Sequence, residues 1–225
     1  MAYPDSPTPI LGLGAGTHAK SVIEAIRSRD DYEVVALVDD DLGRSGTQVL
    51  GIDVVSGTEA LDRLRADGVE HAFVGVGGIL DSGPRRRVHE QLHAAGFDVP
   101  AILHATAIVS PTARIGRGAQ LLAGSIINVD ADIGDGAIVN TGAIIEHDCR
   151  IGNHAHIAPG ARLAGLVTVG EAAHVGIGAI VIEGVDIGVG SFVAAGAVVV
   201  RDVDDGMRVA GVPAREMAVA RAANS

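Results

Sequence analysis

The sequence predicts a small α/β domain with a parallel sheet, followed by a parallel β-helix. Three observations carry this prediction. Strand-like and helix-like segments alternate over residues 9–103, an aliphatic residue recurs at every sixth position from residue 109, and glycines recur at every eighteenth position of the same region. The first pattern is typical of a parallel sheet with helical crossovers, and the six-residue period is typical of a parallel β-helix. The predicted boundaries are 1–104, 105–215 and a carboxyl-terminal tail of 216–225.

The amino-terminal segments follow the order of a Rossmann-like sheet. PILGLGA, EVVALVDD and HAFVGVG read as strands, HAKSVIEAIRSR, GTEALDRLRADG and PRRRVHEQLHAAG as helices, and FDVPAILH as a last strand. The turn with Gly12, Gly14 and Gly16 would cradle a phosphate at a helix amino terminus, and a simple tight turn explains it equally well. Asp39 and Asp40 end the second strand, where either a ribose contact or a solvated turn fits.

The second region is a hexapeptide repeat. The sixth-position aliphatic residues are Val109, Ile115, Leu121, Ile127, Ile133, Val139, Ile145, Ile151, Ile157, Leu163, Val169, Val175, Val181, Ile187, Val193 and Val199. The residue four places later is usually small, and glycines recur in two series, 116 to 188 and 124 to 196, in steps of 18. Three hexads therefore form one coil, and about five coils stack at the usual strand spacing of ~4.8 Å.

The composition of the chain excludes several classes of partner. The formal net charge is −11 and Lys20 is the only lysine, so the basic surface that nucleic acid requires is missing. Cys149 is the only cysteine, which excludes an intrachain disulfide and fits a reducing compartment. The start MAYPDSPTP has no signal-peptide pattern, and no apolar run reaches the ~18 residues of a membrane span. We therefore expect a cytoplasmic protein without nucleic-acid or membrane partners.

The repeat predicts which side chains leave the coil. The sixth-position aliphatic and the small residue after it point inward, which places Cys149 in the core. In the segment IIEHDCRIGNHAHIAPG (144–160), the outward positions include Glu146, His147, Asp148 and His156. We expect His154 to be solvated. Residues 18 positions apart lie above one another and form a column of the stacked coils. His174 is in the column of His156, so either histidine could also simply line an interface.

The outward columns predict an interface. Ile126, Ile144, Arg162, Ile180 and Val198 form a mostly apolar column, which marks a buried contact. A prism with one such face closes most simply as a cyclic trimer. His147 lies three residues after Ile144, at the rim of this face, and the next coil places Gly165 in the column of His147. A base, an open space and a backbone N–H are the elements of an acyl-transfer site.

Several segments resemble a known family. They are NTGAIIEHDCRIGNHAHIAPGARLAG (140–165), VGIGAIVIEGVDIG (175–188), GAVVVRDV (196–203) and GVPAR (211–215), with weaker matches at LGLGAGTHAKSVIEAI (11–26), LVDDD (37–41) and VGVGG (74–78). Over nearly its whole length the chain resembles the sialic acid O-acetyltransferase and nucleotide-amino-sugar N-acetyltransferase family of left-handed β-helix acyltransferases.

This resemblance implies a homotrimer that uses acetyl-CoA, has its active sites at subunit interfaces and needs no metal. His147 would be the general base and Asp148 would orient its imidazole, although position alone also allows Glu146. The residues expected at acetyl-CoA are His156, Gly165, Ala195, Arg201 and Arg215. Gly165 would offer its N–H to the thioester oxygen. The residues expected at the acceptor nucleotide sugar are Gly14, Gly16, His18, Asp39, Asp40 and Gly77.

The predicted function is acetyl-CoA-dependent N-acetylation of a nucleotide-linked 4-amino-6-deoxy sugar, by direct transfer from the thioester, for surface glycan synthesis. O-acetylation of a sialic acid or another sugar hydroxyl is the first alternative, because a hydroxyl also needs a base. A β-helix zinc carbonic anhydrase would need His147, His156 and His174 to converge, and its usual H-x4-H pair is absent from the sequence. A non-catalytic scaffold is the last alternative. The residues do not distinguish N- from O-acetylation or identify the nucleotide.

Overall fold

The amino-terminal region is a Rossmann-like α/β unit. The computed structural model describes residues 7–57, 59–78 and 82–217, and in these ranges three α-helices accompany a five-stranded sheet of order β3-β4-β2-β1-β5. The strands are β1 Thr8–Leu13, β2 Tyr32–Asp39, β3 Gln48–Val49, β4 Ile52–Ser56 and β5 His71–Val74, and the helices are α1 Thr17–Arg27, α2 Glu59–Ala66 and α3 Gly83–Ala94. All strand pairs are parallel except β3–β4. The three predicted helices and first three strands are therefore present.

Two elements of this unit differ from the prediction. The hairpin β3–β4 was not predicted, because its turn is Leu50-Gly51, both with positive φ (51° and 80°), where Asn-Gly would have been the recognisable signal. The expectation of FDVPAILH as one last strand is wrong. Asp98 forms a single bridge to β5, whereas β6, Ile102–Leu103, pairs with a strand of the β-helix. Pro100 interrupts the segment between them, because proline cannot donate to a strand ladder.

The second region is a parallel β-helix with three faces. The first face consists of β7 Ile108–Val109, β10 Ile126–Ile127, β13 Ile144–Ile145, β16 Arg162–Leu163, β19 Ile180–Val181 and β22 Val198–Val199. The second face consists of β8 Arg114–Ile115, β11 Asp132–Ile133, β14 Arg150–Ile151, β17 Thr168–Val169 and β20 Asp186–Ile187. The third face consists of β6, β9 Gln120–Leu121, β12 Ile138–Val139, β15 His156–Ile157, β18 His174–Val175, β21 Phe192–Val193, β23 Arg208–Ala210 and β24 Arg215–Glu216.

The hexapeptide prediction is confirmed strand by strand. From β7 to β22 the second residue of each strand is a sixth-position aliphatic, and paired residues such as Ile126 and Ile144 are 18 apart. The aliphatic and small inward residues form one continuous core, in which Cys149 is fully buried and its Sγ lies 3.1 Å from the carbonyl oxygen of Ala164. The repeat shortens at its end, where Phe192 pairs with Arg208, and the antiparallel β24 closes the third face. Residues 218–225 of the predicted tail lie outside the described residues.

The α/β unit packs against the third face. Arg85 of α3 is 1% exposed, and its guanidinium donates to the carbonyl oxygens of Gly136, at 2.9 Å, and His154. Ile102 and Leu122 join the apolar cluster beneath α1. In the described part of the chain, no helix is long and apolar enough to cross a membrane. The third face is therefore covered, whereas the outward residues of the first face are half-buried or exposed.

Candidate active site

The His147–Asp148 pair lies in the turn between β13 and β14. His147 Nδ1 donates to Asp148 Oδ2 at 2.9 Å, so the Nε2 atom of the neutral imidazole keeps its lone pair. Asp148 has a left-handed backbone with φ of 57°. Glu146 accepts a hydrogen bond from Asn128 Nδ2 in the adjacent coil, at 2.8 Å. Of the two acids that the sequence left open, only Asp148 contacts the imidazole.

The electrostatics of this turn favour a protonated imidazole. The hydrogen bond from His147 to Asp148 raises the pKa of His147, and the negative charges of Asp148, Glu146 and Glu183 act in the same direction. The side chains of His147 and Asp148 are 47% and 50% exposed in a single chain. A histidine next to a carboxylate can accept a proton and hold it as an imidazolium.

The bare glycine predicted beside His147 is present, but the space above it is filled by the imidazole of His147. A Cβ atom on Gly165 would lie 2.5 Å from His147 Cε1 and 2.6 Å from Nε2, so the free ring nitrogen lies directly over a bare glycine. Among the described residues, the backbone N–H of Gly165 has no hydrogen-bond acceptor. A base, a bare glycine and a free backbone donor therefore occur together at one edge of the β-helix.

A cleft of about 860 Å³ separates the α/β unit from the edge where the third face turns into the first. Six of the predicted site residues line it, namely Gly14, Gly16, His18, Asp39, Gly77 and His156. The predicted acceptor residue Asp40 is exposed and does not line the cleft. The structure thus brings together five of the six residues expected at the nucleotide sugar, together with one expected at acetyl-CoA.

The glycine-rich turn is shaped by Asp39. Its Oδ2 accepts from the backbone N–H of Ala15 at 2.6 Å, and its Oδ1 accepts from the N–H of Asp41 at 2.9 Å. Arg44 donates to the carbonyl oxygen of Ala15 at 2.9 Å. Gly14 has φ of 100°, a conformation that favours glycine. Asp39 therefore holds the turn that opens into α1.

His18 is held by a residue that sequence reasoning missed. His18 Nε2 lies 2.7 Å from Oε1 of Gln120, whose Nε2 donates to the carbonyl oxygen of Val74 at 2.8 Å. Burial lowers the pKa of His18. The sequence did contain a signal that the surface around Gln120 is covered. The outward column to which it belongs is too aromatic and apolar for a solvated face, and it consists of Gln120, Ile138, His156, His174 and Phe192.

His156 leaves the coil as predicted, but the α/β unit covers it to 8% exposure. Its Nδ1 donates to the carbonyl oxygen of Gly78 at 2.9 Å, and its Nε2 accepts from Asn140 Nδ2 at 3.1 Å. Burial lowers the pKa of His156 to about 3. The ring also makes an edge contact with His174, with centroids 4.9 Å apart. Both ring nitrogens are occupied, so this neutral ring offers no free hydrogen-bonding atom to a ligand.

The expectation that His154 is solvated is wrong. Its ring is half-buried, its Nδ1 is buried without a hydrogen-bond partner, and the ring contacts His89 at 5.2 Å between centroids. Burial lowers the pKa of His154. The reason is the packing of α3, which covers this turn and inserts Arg85 beside it.

The remaining predicted acetyl-CoA residues lie at separate places. Ala195 is exposed in the column of Thr141, Pro159 and Ile177, which line the cleft. Arg201 is exposed three coils beyond His147 in the same column. Arg215 lies in β24, where its Nη1 donates to the carbonyl oxygen of Ala214 at 2.7 Å.

Within one chain, the cleft and the His147 pair lie at opposite edges of the first face. In the coil of β13, the cleft residues Asn140 and Thr141 come before the strand, and His147 comes after it. His156 and His174 touch each other on the third face, away from the turn of His147. In the described ranges, no three His, Cys, Asp or Glu residues form a group that could hold a metal ion.

Comparisons with known proteins match both regions. The PglD N-terminal domain model matches residues 10–92, and the bacterial transferase hexapeptide (six repeats) model matches residues 130–165. A search of curated proteins gave no match.

Similar solved structures extend over nearly the whole chain. PerB from Caulobacter crescentus, in complex with CoA and GDP-perosamine, is 43% identical, with 93% of this chain and 97% of PerB covered and a TM-score of 0.87. The acetyltransferase domain of PglB from Neisseria gonorrhoeae, in complex with acetyl coenzyme A, is 35% identical, with 94% and 100% covered and a TM-score of 0.85. WeeI from Acinetobacter baumannii is 27% identical, with 93% and 100% covered and a TM-score of 0.80.

These matches confirm the family resemblance and the two-part fold predicted from the sequence. The chain belongs to the hexapeptide-repeat acyltransferases that carry a PglD-type amino-terminal domain, a family of acetyl-CoA-dependent sugar N-acetyltransferases.

Proposed function

We propose that this protein transfers the acetyl group of acetyl-CoA to the amino group of a nucleotide-linked 4-amino-6-deoxy sugar, with a GDP-linked sugar as the first candidate. The observation that carries the proposal is the His147–Asp148 pair, whose free Nε2 lies over the bare Gly165. The large cleft beside the glycine-rich turn offers a place for the nucleotide. The similarity to PerB, crystallised with CoA and GDP-perosamine, supports this choice of substrates.

The chemistry follows from the geometry at His147. The sugar amine attacks the thioester carbonyl carbon, and His147 Nε2 takes the proton that the amine must lose. The carbonyl oxygen becomes negative and accepts a hydrogen bond from the N–H of Gly165. The C–S bond then breaks and the acetamide forms. The protonated His147 gives its proton to the leaving sulfur, so CoA departs as a thiol and the base is regenerated. General-base assistance of this kind is worth about 10²–10⁴-fold in rate.

The complete site in this proposal lies between two subunits of a cyclic trimer. The first face separates the cleft from His147, and its outward column includes Ile180, which is 41% exposed in a single chain. A second copy packed on this apolar face buries it and places the cleft edge of one chain near the His147 edge of the other. The acetyl-CoA residues Gly165, Ala195 and Arg201 are divided between the same two edges. Both substrates and the single reduced cysteine fit a reaction in the cytoplasm.

A product assay tests the reaction. The protein is incubated with acetyl-CoA and GDP-, UDP- or dTDP-linked 4-amino-6-deoxy sugars, and with free sialic acid, and products are identified by mass spectrometry. We expect one nucleotide amino sugar to gain an acetyl group and His147→Ala to react at least ~10²-fold more slowly. The matched control is His93→Ala, at an exposed histidine of α3. Transfer only to sialic acid would establish the O-acetyl alternative, and an unchanged rate in His147→Ala would remove His147 as the base.

A mixing experiment tests the shared site. Gly16 has an extended backbone, with φ of −76°, and open space where a Cβ would be, so Gly16→Glu should fold yet repel a diphosphate in the cleft. We expect His147→Ala and Gly16→Glu to be inactive alone and to regain activity when mixed trimers form by subunit exchange. Sedimentation should show three chains. No recovery in exchanged trimers would mean that cleft and base belong to one chain.

A further inference from the structure

The orientation of the Gln120 amide is fixed by the backbone. Gln120 belongs to β9 of the β-helix and is 2% exposed, and one end of its amide lies 2.8 Å from the carbonyl oxygen of Val74, at the end of β5. A carbonyl oxygen only accepts hydrogen bonds, so the amide must place its NH₂ group there. The amide oxygen of Gln120 is therefore the atom that faces His18.

This orientation determines the tautomer of His18. The amide oxygen lies 2.7 Å from His18 Nε2 and only accepts, so Nε2 must carry the ring proton. Burial lowers the pKa of His18 and outweighs the hydrogen bond to Gln120, which raises it, while the positive charge of Arg85 also lowers it. The ring is therefore neutral near pH ~7, and its other nitrogen, Nδ1, holds a lone pair.

The lone pair of Nδ1 is available to a ligand. Among the described residues, Nδ1 has no hydrogen-bond partner and is not among the buried polar atoms without one. His18 lines the 860 Å³ cleft, next to Gly77, where an added Cβ would lie 3.7 Å from Nδ1. The ring therefore presents a hydrogen-bond acceptor to the cleft.

We propose that Gln120 is a positioning residue for the acceptor substrate: it locks His18 in the Nε2–H tautomer, so that Nδ1 accepts a hydrogen bond from a hydroxyl or N–H group of the nucleotide-linked sugar. This inference rests on the proposed function for the identity of the cleft's ligand. It assigns His18 to a donor group of the sugar, ribose or base. A phosphate oxygen is excluded as its partner, because two acceptors repel. The β-helix thereby sets specificity in a cleft whose glycine-rich turn comes from the α/β unit.

The tautomer can be observed directly in the wild-type protein. Histidine labelled with ¹⁵N distinguishes a protonated from an unprotonated ring nitrogen, and the signal of His18 is assigned by its absence from the spectrum of His18→Phe. We expect a protonated Nε2 and an unprotonated Nδ1 in the free enzyme near neutral pH. A protonated Nδ1, as the other tautomer or an imidazolium, would overturn the proposal without any variant of Gln120.

Kinetics test whether Gln120 acts through His18. Gln120→Met keeps the length of the side chain and removes both hydrogen bonds. We expect the KM for the nucleotide sugar to rise about tenfold, the effect of one lost hydrogen bond, with KM for acetyl-CoA and kcat changed less than about twofold. The double variant Gln120→Met, His18→Phe should be no worse than His18→Phe alone. Additive effects, or a loss confined to kcat, would overturn the proposal.

The outcomes separate this inference from the proposed function. If no nucleotide sugar is acetylated by the wild-type protein, the proposed function fails, whatever the tautomer. If the sugar is acetylated and His147→Ala is inactive, but Gln120→Met has wild-type kinetics, only the role of Gln120 fails. Thermal unfolding of Gln120→Met shows whether the buried position still folds, and the ¹⁵N measurement on the wild-type protein decides the tautomer if it does not.

Discussion

His147 and His156 lie in the same coil of the β-helix and leave it in the same outward sense, yet their surroundings are opposite. His147 is half-exposed beside the carboxylate of Asp148, which raises its pKa. His156 is buried between the two units, both its nitrogens are occupied, and its pKa is lowered to about 3. The repeat decides only that a side chain points away from the coil. What covers the surface decides whether the side chain stays accessible to solvent and substrate or supports the packing.

The largest expected effect removes the partner that makes His147 different. In Asp148→Asn the kcat should fall by at least ~10²-fold, because the imidazolium loses its carboxylate and Nδ1–H its strongest acceptor. The acid limb of the pH–rate profile should also move to lower pH, since Asp148 raises the pKa of His147. Steady-state rates between pH 5 and 9 measure both effects. The matched control is Asp130→Asn, one coil away in the same left-handed turn position, with φ of 56°; an equal loss there would point to backbone damage.

The next effect concerns the space under His147. In Gly165→Ala the added methyl group would lie 2.6 Å from His147 Nε2, so the imidazole must move while the coil itself is undisturbed. We expect kcat to fall by about 10-fold to 100-fold, because a displaced base loses its alignment, with the unfolding temperature changed by only a few degrees. Wild-type kcat in a folded Gly165→Ala protein would show that the base works from another position.

A smaller effect tests the buried side of the comparison. His156 and His174 are held neutral by burial, with pKa values of about 3 and about 4. In the unfolded chain the two histidines bind protons near pH ~6.5. Their contribution to the unfolding free energy is therefore fully present above that pH, and it is lost as the pH decreases toward their pKa values in the folded protein. We expect the unfolding free energy to fall by a few kcal/mol between pH 7 and 4, with a smaller fall in His156→Asn. Calorimetric scans measure this, with His93→Asn as the exposed control; identical pH slopes in all three proteins would contradict it.

The smallest effect separates the two acids that flank His147. Glu146 is held by Asn128 and does not contact the imidazole, so Glu146→Gln should lower kcat less than about threefold. A loss as large as that of Asp148→Asn would give both carboxylates the same role.

The sequence predicted the β-helix well because each coil repeats one local rule, and strands of two residues leave little room for other registers. The outward direction of Glu146, His147 and Asp148 was predicted for the same reason. The choice of Asp148 over Glu146 depended on a left-handed backbone and on the amide of Asn128 in the previous coil, neither of which a hexad reveals. His154 and Gln120 were missed because their partners belong to the α/β unit, and residues such as Gln120 and His18 are 102 positions apart.

The stacked columns also fix distances along the axis of the β-helix. His147, Gly165, Glu183 and Arg201 follow one another at intervals of 18 residues, so the separation between His147 and Arg201 is fixed in whole coils of about 4.8 Å. Acetyl-CoA is a long ligand with its thioester at one end and its phosphates at the other. The distance between these two ends would have to match a whole number of coils. Inserting or deleting one complete coil would change the reach of the site by a single step and leave the chemistry at each end intact.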